Sequence, residues 1–268
     1  MDRSQAYAVQ QHGDGEPVIV MAHGLGGSQA QWDPLVAHFQ KSAREVTYAL
    51  AGSTEADPAA FSPQRHANVL GFADDLALLC GELGLRGAIF LGHSMSAMAG
   101  LLAAGADPGL FSRLVLLNGS ARYVDDPATG YVGGFTQAQV DTLLEAIAGN
   151  YTAWSSGFAA VVMDNPDRPE YATEFARSLS AQDPRTALVM FRAAFNSDFR
   201  HAMGRVQVPT LLLQSTSDPA VPIPAAQWLA GALPQARLQV LPSAGHFPHV
   251  VSPELVIAEV EAFLRESS

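Results

Sequence analysis

Ser94, Asp218 and His246 appear in that order along the chain. Their residue types can work together as a nucleophile, an orienting acid and a base. A serine hydroxyl is a poor nucleophile at neutral pH. It needs a base within hydrogen-bond reach, and the base needs a carboxylate to orient it and stabilise its charge. Such a set performs acyl transfer, with serine attacking a carbonyl carbon and histidine taking its proton. The tripeptide Gly92-His93-Ser94 does not single out the serine, because G-x-S arises by chance about once in ~200 residues. Gly26-Gly27-Ser28 is a second copy in this chain.

The neighbouring sequence supplies the weight. Ala88 to Leu91 is a short apolar run that reads as a buried strand, and Ala97 to Ala104 is a small-residue run that reads as a helix. A serine on so sharp a strand-to-helix turn takes a strained backbone conformation that presents its hydroxyl at the top of a sheet. Strand and helix nearly touch there, so small neighbours are required. Gly92 supplies one, and Ser96 stands where the usual G-x-S-x-G pattern has its second glycine.

Asp218 follows the strand candidate Thr210 to Gln214, and His246 follows the strand candidate Leu238 to Leu241 through Gly245. Competing residues fit less well. His249 lies beyond the tight turn, and His93, adjacent to Ser94, must point away from it. Asp125 and Asp126 stand too far past the strand that ends near Leu117. His23-Gly24-Leu25-Gly26-Gly27-Ser28 follows the strand Val18 to Ala22. It reads as a loop aiming a backbone N–H, that of Leu25, at developing negative charge. A phosphate loop would want a Lys-Ser/Thr pair, which is absent.

The elements that must position these residues alternate. Strands read at Val18 to Ala22, Glu45 to Leu50, Ala88 to Leu91 and Leu114 to Leu117, with helices over Gln31 to Phe39 and His66 to Leu83. Alternation argues a parallel sheet with helices on both faces, and ligands of such sheets bind at the carboxyl ends of the strands. The rhythm breaks near Ser120. From Thr136 to about Phe199 the chain reads as helices rich in aromatics, with a capping box at Thr136 and Gln139 and a cap at Asp183-Pro184. Strands resume at Thr210, and Ser252-Pro253-Glu254 caps a last helix running to about Arg265.

Composition bounds the rest. The 268 residues are 48% hydrophobic and 15% charged, a globular composition with ample core. The net charge of −11 and the lack of a Lys/Arg cluster argue against nucleic acid. Apolar runs fall well short of the ~20 residues of a membrane span. Met1 to Pro17 is polar, so no secretion signal is expected and the expected location is cytoplasmic. The single cysteine, Cys80, precludes an internal disulfide and reads as a small core residue. The histidines are scattered without ligand spacing, so neither metal nor cofactor is expected.

With these residues in view, the chain resembles α/β-hydrolases of the RsbQ type. These bacterial stress-response regulators are related to the plant strigolactone and karrikin receptors. The likeness covers nearly the whole chain. It lies in Gly92-His93-Ser94-Met95-Ser96-Ala97, Gly119-Ser120-Ala121-Arg122-Tyr123, Tyr131-Val132-Gly133-Gly134-Phe135 and Asn150-Tyr151-Thr152-Ala153-Trp154. Asn165-Pro166-Asp167-Arg168-Pro169-Glu170 and Asp218-Pro219-Ala220-Val221-Pro222 complete it.

The resemblance implies an α/β-hydrolase fold, a mostly parallel central sheet flanked by helices. A four-helix, V-shaped lid would be inserted after the sixth core strand. Residues 1–120 and 200–268 would form the core and residues 121–199 the lid, within one domain. Ser94, Asp218 and His246 would be the catalytic triad, and the N–H groups of Leu25 and Met95 the oxyanion hole. Leu25, Tyr123, Phe135, Phe158, Phe195 and Ala220 would line the substrate pocket, with Trp154 packing in the lid.

Two positions depart from the relatives. Leu25 replaces a phenylalanine, a change expected to open the pocket. Ala49 to Asp57 lacks an Asp-x-x-Gly-x-Gly pattern, a departure confined to that loop. The expected function is hydrolysis of a small apolar ester or lactone. The alternative is a signalling protein that binds such a ligand and engages a partner protein at the lid, with slow or incidental hydrolysis.

Overall fold

The computed structural model describes residues 2–266. Their sheet has seven strands, β1 (Gln10–His12), β2 (Val18–Ala22), β3 (Arg44–Tyr48), β4 (Ala88–His93), β5 (Phe111–Leu117), β6 (Thr210–Ser217) and β7 (Ala236–Ala244). The spatial order is β1-β3-β2-β4-β5-β6-β7, with β1 antiparallel to β3 and every other pair parallel. β2 and β4 are buried along their whole length, which is why they read as unbroken apolar runs instead of alternating ones.

The helices are α1 (Arg3–Ala6), α2 (Asp33–Phe39), α3 (Val69–Glu82), α4 (Met95–Ala106), α5 (Gln137–Gly149), α6 (Tyr151–Met163), α7 (Pro169–Ser180), α8 (Pro184–Phe195), α9 (Ile223–Ala232), α10 (Pro248–Val251) and α11 (Pro253–Arg265). Side chains of β4 alternate between two cores. Phe90 joins Leu76, Leu101 and Leu114 on one face, whereas Ile89 and Leu91 join Trp32, Leu35 and Phe263 on the other.

The chain leaves β2 toward β3, then returns to lay β4 on the opposite side of β2. This reversal of strand order opens a crevice at the carboxyl ends of β2 and β4. The ends coincide, since Ala22 pairs with Gly92, Gly92 with Leu116, and Leu117 with Leu213.

The helical insert α5–α8 is written locally. The Thr136 hydroxyl accepts from Gln139 N–H while the Gln139 side chain takes Thr136 N–H, closing the capping box. Asn150 caps α6, and Asp183 accepts from Thr186 N–H ahead of Pro184 in α8.

Three expectations need correction. The insert follows the fifth strand of the described sheet, not the sixth. Arg3–Ala6 folds as a helical turn capped by Asp2, and no strand precedes β1 among the described residues. Second, the long helix starts at Val69 with Asn68 as its cap. The His66 ring is buried and bound to Asp75 at 2.8 Å, holding residues 62–68 in turns. Third, Ser252 makes no side-chain cap on α11, because its hydroxyl meets that of Ser243 at 3.2 Å. α9, between β6 and β7, is an element the periodicity did not single out.

Candidate active site

Ser94 stands between β4 and α4 at φ +55°, ψ −121°. A non-glycine residue held there stores on the order of 1–3 kcal/mol of strain. The turn is tight enough that a Cβ on Gly92 would lie 2.9 Å from the backbone of Ala97, so only glycine fits. Ser96 is not a passive small residue. Its hydroxyl donates to the carbonyl of His23 at 2.6 Å and ties the elbow to the loop after β2. That loop is further ordered by the buried His23 ring. Its Nδ1 donates to Gly24 carbonyl at 2.9 Å, and its Nε2 accepts from Leu50 N–H at 3.2 Å.

His246 Nε2 lies 2.8 Å from Ser94 Oγ. On the other side of the ring, Nδ1 meets both carboxylate oxygens of Asp218, at 3.0 and 2.9 Å. A carboxylate only accepts, so Nδ1 carries the proton and Nε2 is free to take one from the serine. The Asp218 side chain is fully buried. It is also bonded by Ala220 N–H at 2.8 Å and the Gln214 side-chain amide at 3.2 Å. A buried carboxylate held this way stabilises an imidazolium next to it and fixes the ring's orientation. The Tyr123 hydroxyl is 3.4 Å from Ser94 Oγ, and burial pushes its pKa up to about 12, so it stays protonated.

The competing residues are engaged elsewhere. Asp125 accepts from Gly133 and Gly134 N–H, and Asp126 pairs with Arg200 at 2.9 Å. His249 is fully buried and stacked on Trp32 at 4.5 Å, with neither ring nitrogen hydrogen-bonded and its pKa lowered by burial to about 3. His93 is hydrogen-bonded to the chain at His246 and not to Ser94. Its Nε2 donates to the His246 carbonyl at 2.8 Å, and burial, with His249 and His246 nearby, holds its pKa well below the usual range. A bonding partner that is a carbonyl requires the neutral ring to carry its hydrogen on Nε2.

Met95 is the first residue of α4, so its N–H is one of those a helix leaves without an internal partner. Leu25 lies in the loop opposite. No group of three or more His, Cys, Asp or Glu side chains placed to hold a metal occurs among the described residues.

Ser94 and His246 border a cavity whose lining includes Leu25, Tyr123, Phe158, Phe195 and Ala220. Phe135 is not part of the lining. Its ring stands edge-on behind Phe195, at 5.5 Å and 83°. Sequence reasoning missed His93, Val162, Phe175, Phe191 and Phe247. Phe191 precedes Phe195 by one helical turn, a spacing that signals a shared face but not what the face meets. Trp154 packs within the insert, stacked on Phe158 at 4.8 Å. The leucine at position 25 does not open the site. The cavity measures about 20 Å³, space for roughly one water molecule. Phe175, another wall of that cavity, and Leu179 pack over the adjoining Gly26, which accounts for the closure.

A parallel sheet whose strand ends present a serine elbow, a buried aspartate and a histidine in hydrogen-bonded sequence is the architecture of an α/β hydrolase. Residues 17–253 match the family model described as alpha/beta hydrolase fold, and the chain belongs to that family of hydrolases. The chain is 38% identical over 255 residues to the probable esterase D14L of Oryza sativa, covering 94% of this chain and 93% of that protein. It is 36% identical to the karrikin insensitive 2 receptor CA of Petunia hybrida over 94% and 93%. With the strigolactone esterase D14 of Arabidopsis thaliana it shares 33% over 98% and 96%. Among solved structures, a hydrolase from Oleispira antarctica superposes with a TM-score of 0.96 at 25% identity, covering 99% and 97% of the two chains. No described helix is long and apolar enough to cross a membrane.

Proposed function

We propose that this chain is a serine hydrolase of small apolar esters or lactones. Ser94 is its nucleophile, His246 its general base and acid, and Asp218 the orienting carboxylate. Ser94 Oγ attacks the carbonyl carbon as its proton passes to His246 Nε2. The negative charge that develops on the carbonyl oxygen is taken by the N–H groups of Leu25 and Met95. Collapse of the intermediate expels the alcohol, which leaves with the proton from His246 and an acyl-Ser94 behind. Water, deprotonated by the same histidine, releases the acid and regenerates the serine. Residues 121–199 act as the lid, with Tyr123, Phe158, Phe195 and Ala220 selecting a compact substrate. The reading places the reaction in the cytoplasm.

The observation that carries it is the unbroken chain of short contacts from Asp218 through His246 to Ser94 Oγ. Reaction with a fluorophosphonate probe, followed by mass spectrometry, tests it. Labelling at Ser94 in the wild type and none in Ser94→Ala is expected. Short-chain ester hydrolysis should fall by on the order of 10⁴-fold or more in the same variant. Retention of most activity by Ser94→Ala would sink the proposal.

A second role is favoured by the closed cavity together with relatives named as receptors. A ligand larger than the roughly 20 Å³ of space beside Ser94 has to displace side chains of the lining, those of the insert among them. Such a change on binding or slow turnover is one that a partner protein docked at the lid would read, as in regulators of the RsbQ type. Co-purification with and without substitutions on the exposed face of the insert tests this role. Recovery of the same proteins in both cases, or of none, counts against it.

A further inference from the structure

Outside the buried chamber lies a second and much larger space. A groove of about 850 Å³ runs between α7, the loop after β2 and the turn between α10 and α11. Its volume is in the range of ordinary ligand sites, whereas the chamber at Ser94 is some forty times smaller. Pro34, Met163, Tyr171, Val250 and Val251 give it an apolar strip, beside which Asp33, Glu55, Arg168, Glu174, Arg177 and Glu254 make much of the remaining wall charged. One side chain, Phe175, lines both the groove and the chamber. We infer that the groove is a second substrate subsite, joined to the Ser94 chamber by displacement of the Phe175 ring, and that it takes the extended apolar arm of an ester. This inference rests on the hydrolase reading above.

Turning the Phe175 ring is the cheapest way to open the chamber. Phe175 is 2% exposed, and its ring contacts Phe247 at 4.6 Å in a tilted arrangement with no polar bond to break. The helix that carries it is fastened beside the ring, since the Ser178 hydroxyl donates to Gly26 carbonyl at 2.9 Å. Rotating one aromatic side chain leaves that fastening intact. Lifting the insert instead would break the bond from His246 N–H to Val162 carbonyl, 2.7 Å long, and so disturb the base itself. A ring that swings into the groove's edge joins the chamber to a space of about 850 Å³, room for an acyl or alkyl chain that the chamber alone cannot hold.

The test uses two homologous series, so that either arm of the ester can report. These are 4-nitrophenyl acetate against octanoate, and ethyl acetate against octyl acetate. For each variant the ratio of kcat/KM for the long to the short substrate is read. Phe175→Ala should raise that ratio at least tenfold in one series. Phe175→Leu, which keeps more of the packing, should raise it less and serves if the alanine variant does not fold. Adding Ala30→Trp and Ala181→Trp, both exposed positions in the groove wall, should pull the ratio back at least fivefold. An unmoved ratio in folded Phe175 variants overturns the inference, as does a gain that survives the two tryptophans. Ser94→Ala separates the two failures. If short-ester hydrolysis needs Ser94 but the ratio does not move, only the subsite is lost. If hydrolysis persists without Ser94, the hydrolase reading itself is lost.

Discussion

Ser94 Oγ and His246 Nε2, the proposed nucleophile and base, sit 2.8 Å apart but are held by different parts of the molecule. Ser94 belongs to the sheet. Its N–H donates to Leu117 carbonyl at 2.9 Å, and its turn is closed by Gly92 against Ala97 and by Ser96 on His23, all in the sheet core. His246 sits on a turn shared between the sheet and the helical insert. Its carbonyl accepts from His93 in the core, but its N–H donates to Val162 at the end of α6. Just beyond α6, the Asn165 amide donates to Ala244 carbonyl at 3.2 Å, and the Ser217 hydroxyl donates to Asp164 at 3.0 Å. The backbone of Ser94 is thus held by the sheet, with Tyr123 as its one hydroxyl contact from the segment after β5, whereas the backbone of His246 is tied directly to the insert.

Asp218→Asn should have the largest effect. The amide leaves Nδ1 without its carboxylate, so the elbow should stay intact while kcat falls by on the order of 10³–10⁴-fold. Steady-state hydrolysis of a short ester checks it, and a loss under tenfold would mean that Asp218 does not orient His246. Next comes Gly245→Ala. This glycine has φ +83°, and a Cβ there would lie 2.1 Å from Met163 carbonyl, a backbone atom that cannot turn aside. The histidine turn and α6 must separate, and a shift of about 1 Å at the base is enough for a loss of roughly 10²-fold. A fluorophosphonate labelling rate that is unchanged would show the turn to be independent of the insert.

Ser96→Ala probes the sheet side. It removes the donor to His23 carbonyl, at a cost of about 1–3 kcal/mol for a buried acceptor left unpaired. Denaturant unfolding should register the loss, with hydrolysis reduced less than in Gly245→Ala. A larger loss of hydrolysis than in Gly245→Ala would reverse that order.

The smallest effect concerns pH. His93 and His249 have folded pKa values below that of a free imidazole, His249 at about 3. The unfolded chain therefore binds protons that the native state refuses between about pH 6.5 and 3, and stability falls as pH falls through that window. Replacing His249 by phenylalanine, which keeps the stack on Trp32, should make this slope shallower by up to one proton. Unfolding free energy measured at pH 7, 6 and 5 reads it, and parallel slopes for the two proteins would exclude His249 as a contributor.

Much of the frame was legible in the chain. Val18–Ala22 is a strand with the bounds its apolar run predicted, and the capping box at Thr136 forms as its spacing required. These are local signals, settled by which side chain faces the core and which satisfies a helix end. The order Ser94, Asp218, His246 was legible too, because each follows a strand and parallel strands end on one edge. Ser96 was read as merely small, since the carbonyl it meets lies 73 positions earlier.

The buried strands, the caps at Thr136 and Asp183 and the order of Ser94, Asp218 and His246 could be read from short stretches of chain, whereas β1 and the missing cap at Ser252 could not. Only the tertiary structure decided the size of the chamber. A leucine at position 25 predicted an open pocket, yet the volume left is a small difference between closely packed surfaces drawn from distant segments. Phe175, 150 positions away, closes the same space. It likewise decided that Phe191 faces the chamber and Phe135 backs onto Phe195, since periodicity fixes which face of a helix is apolar and not what that face will meet.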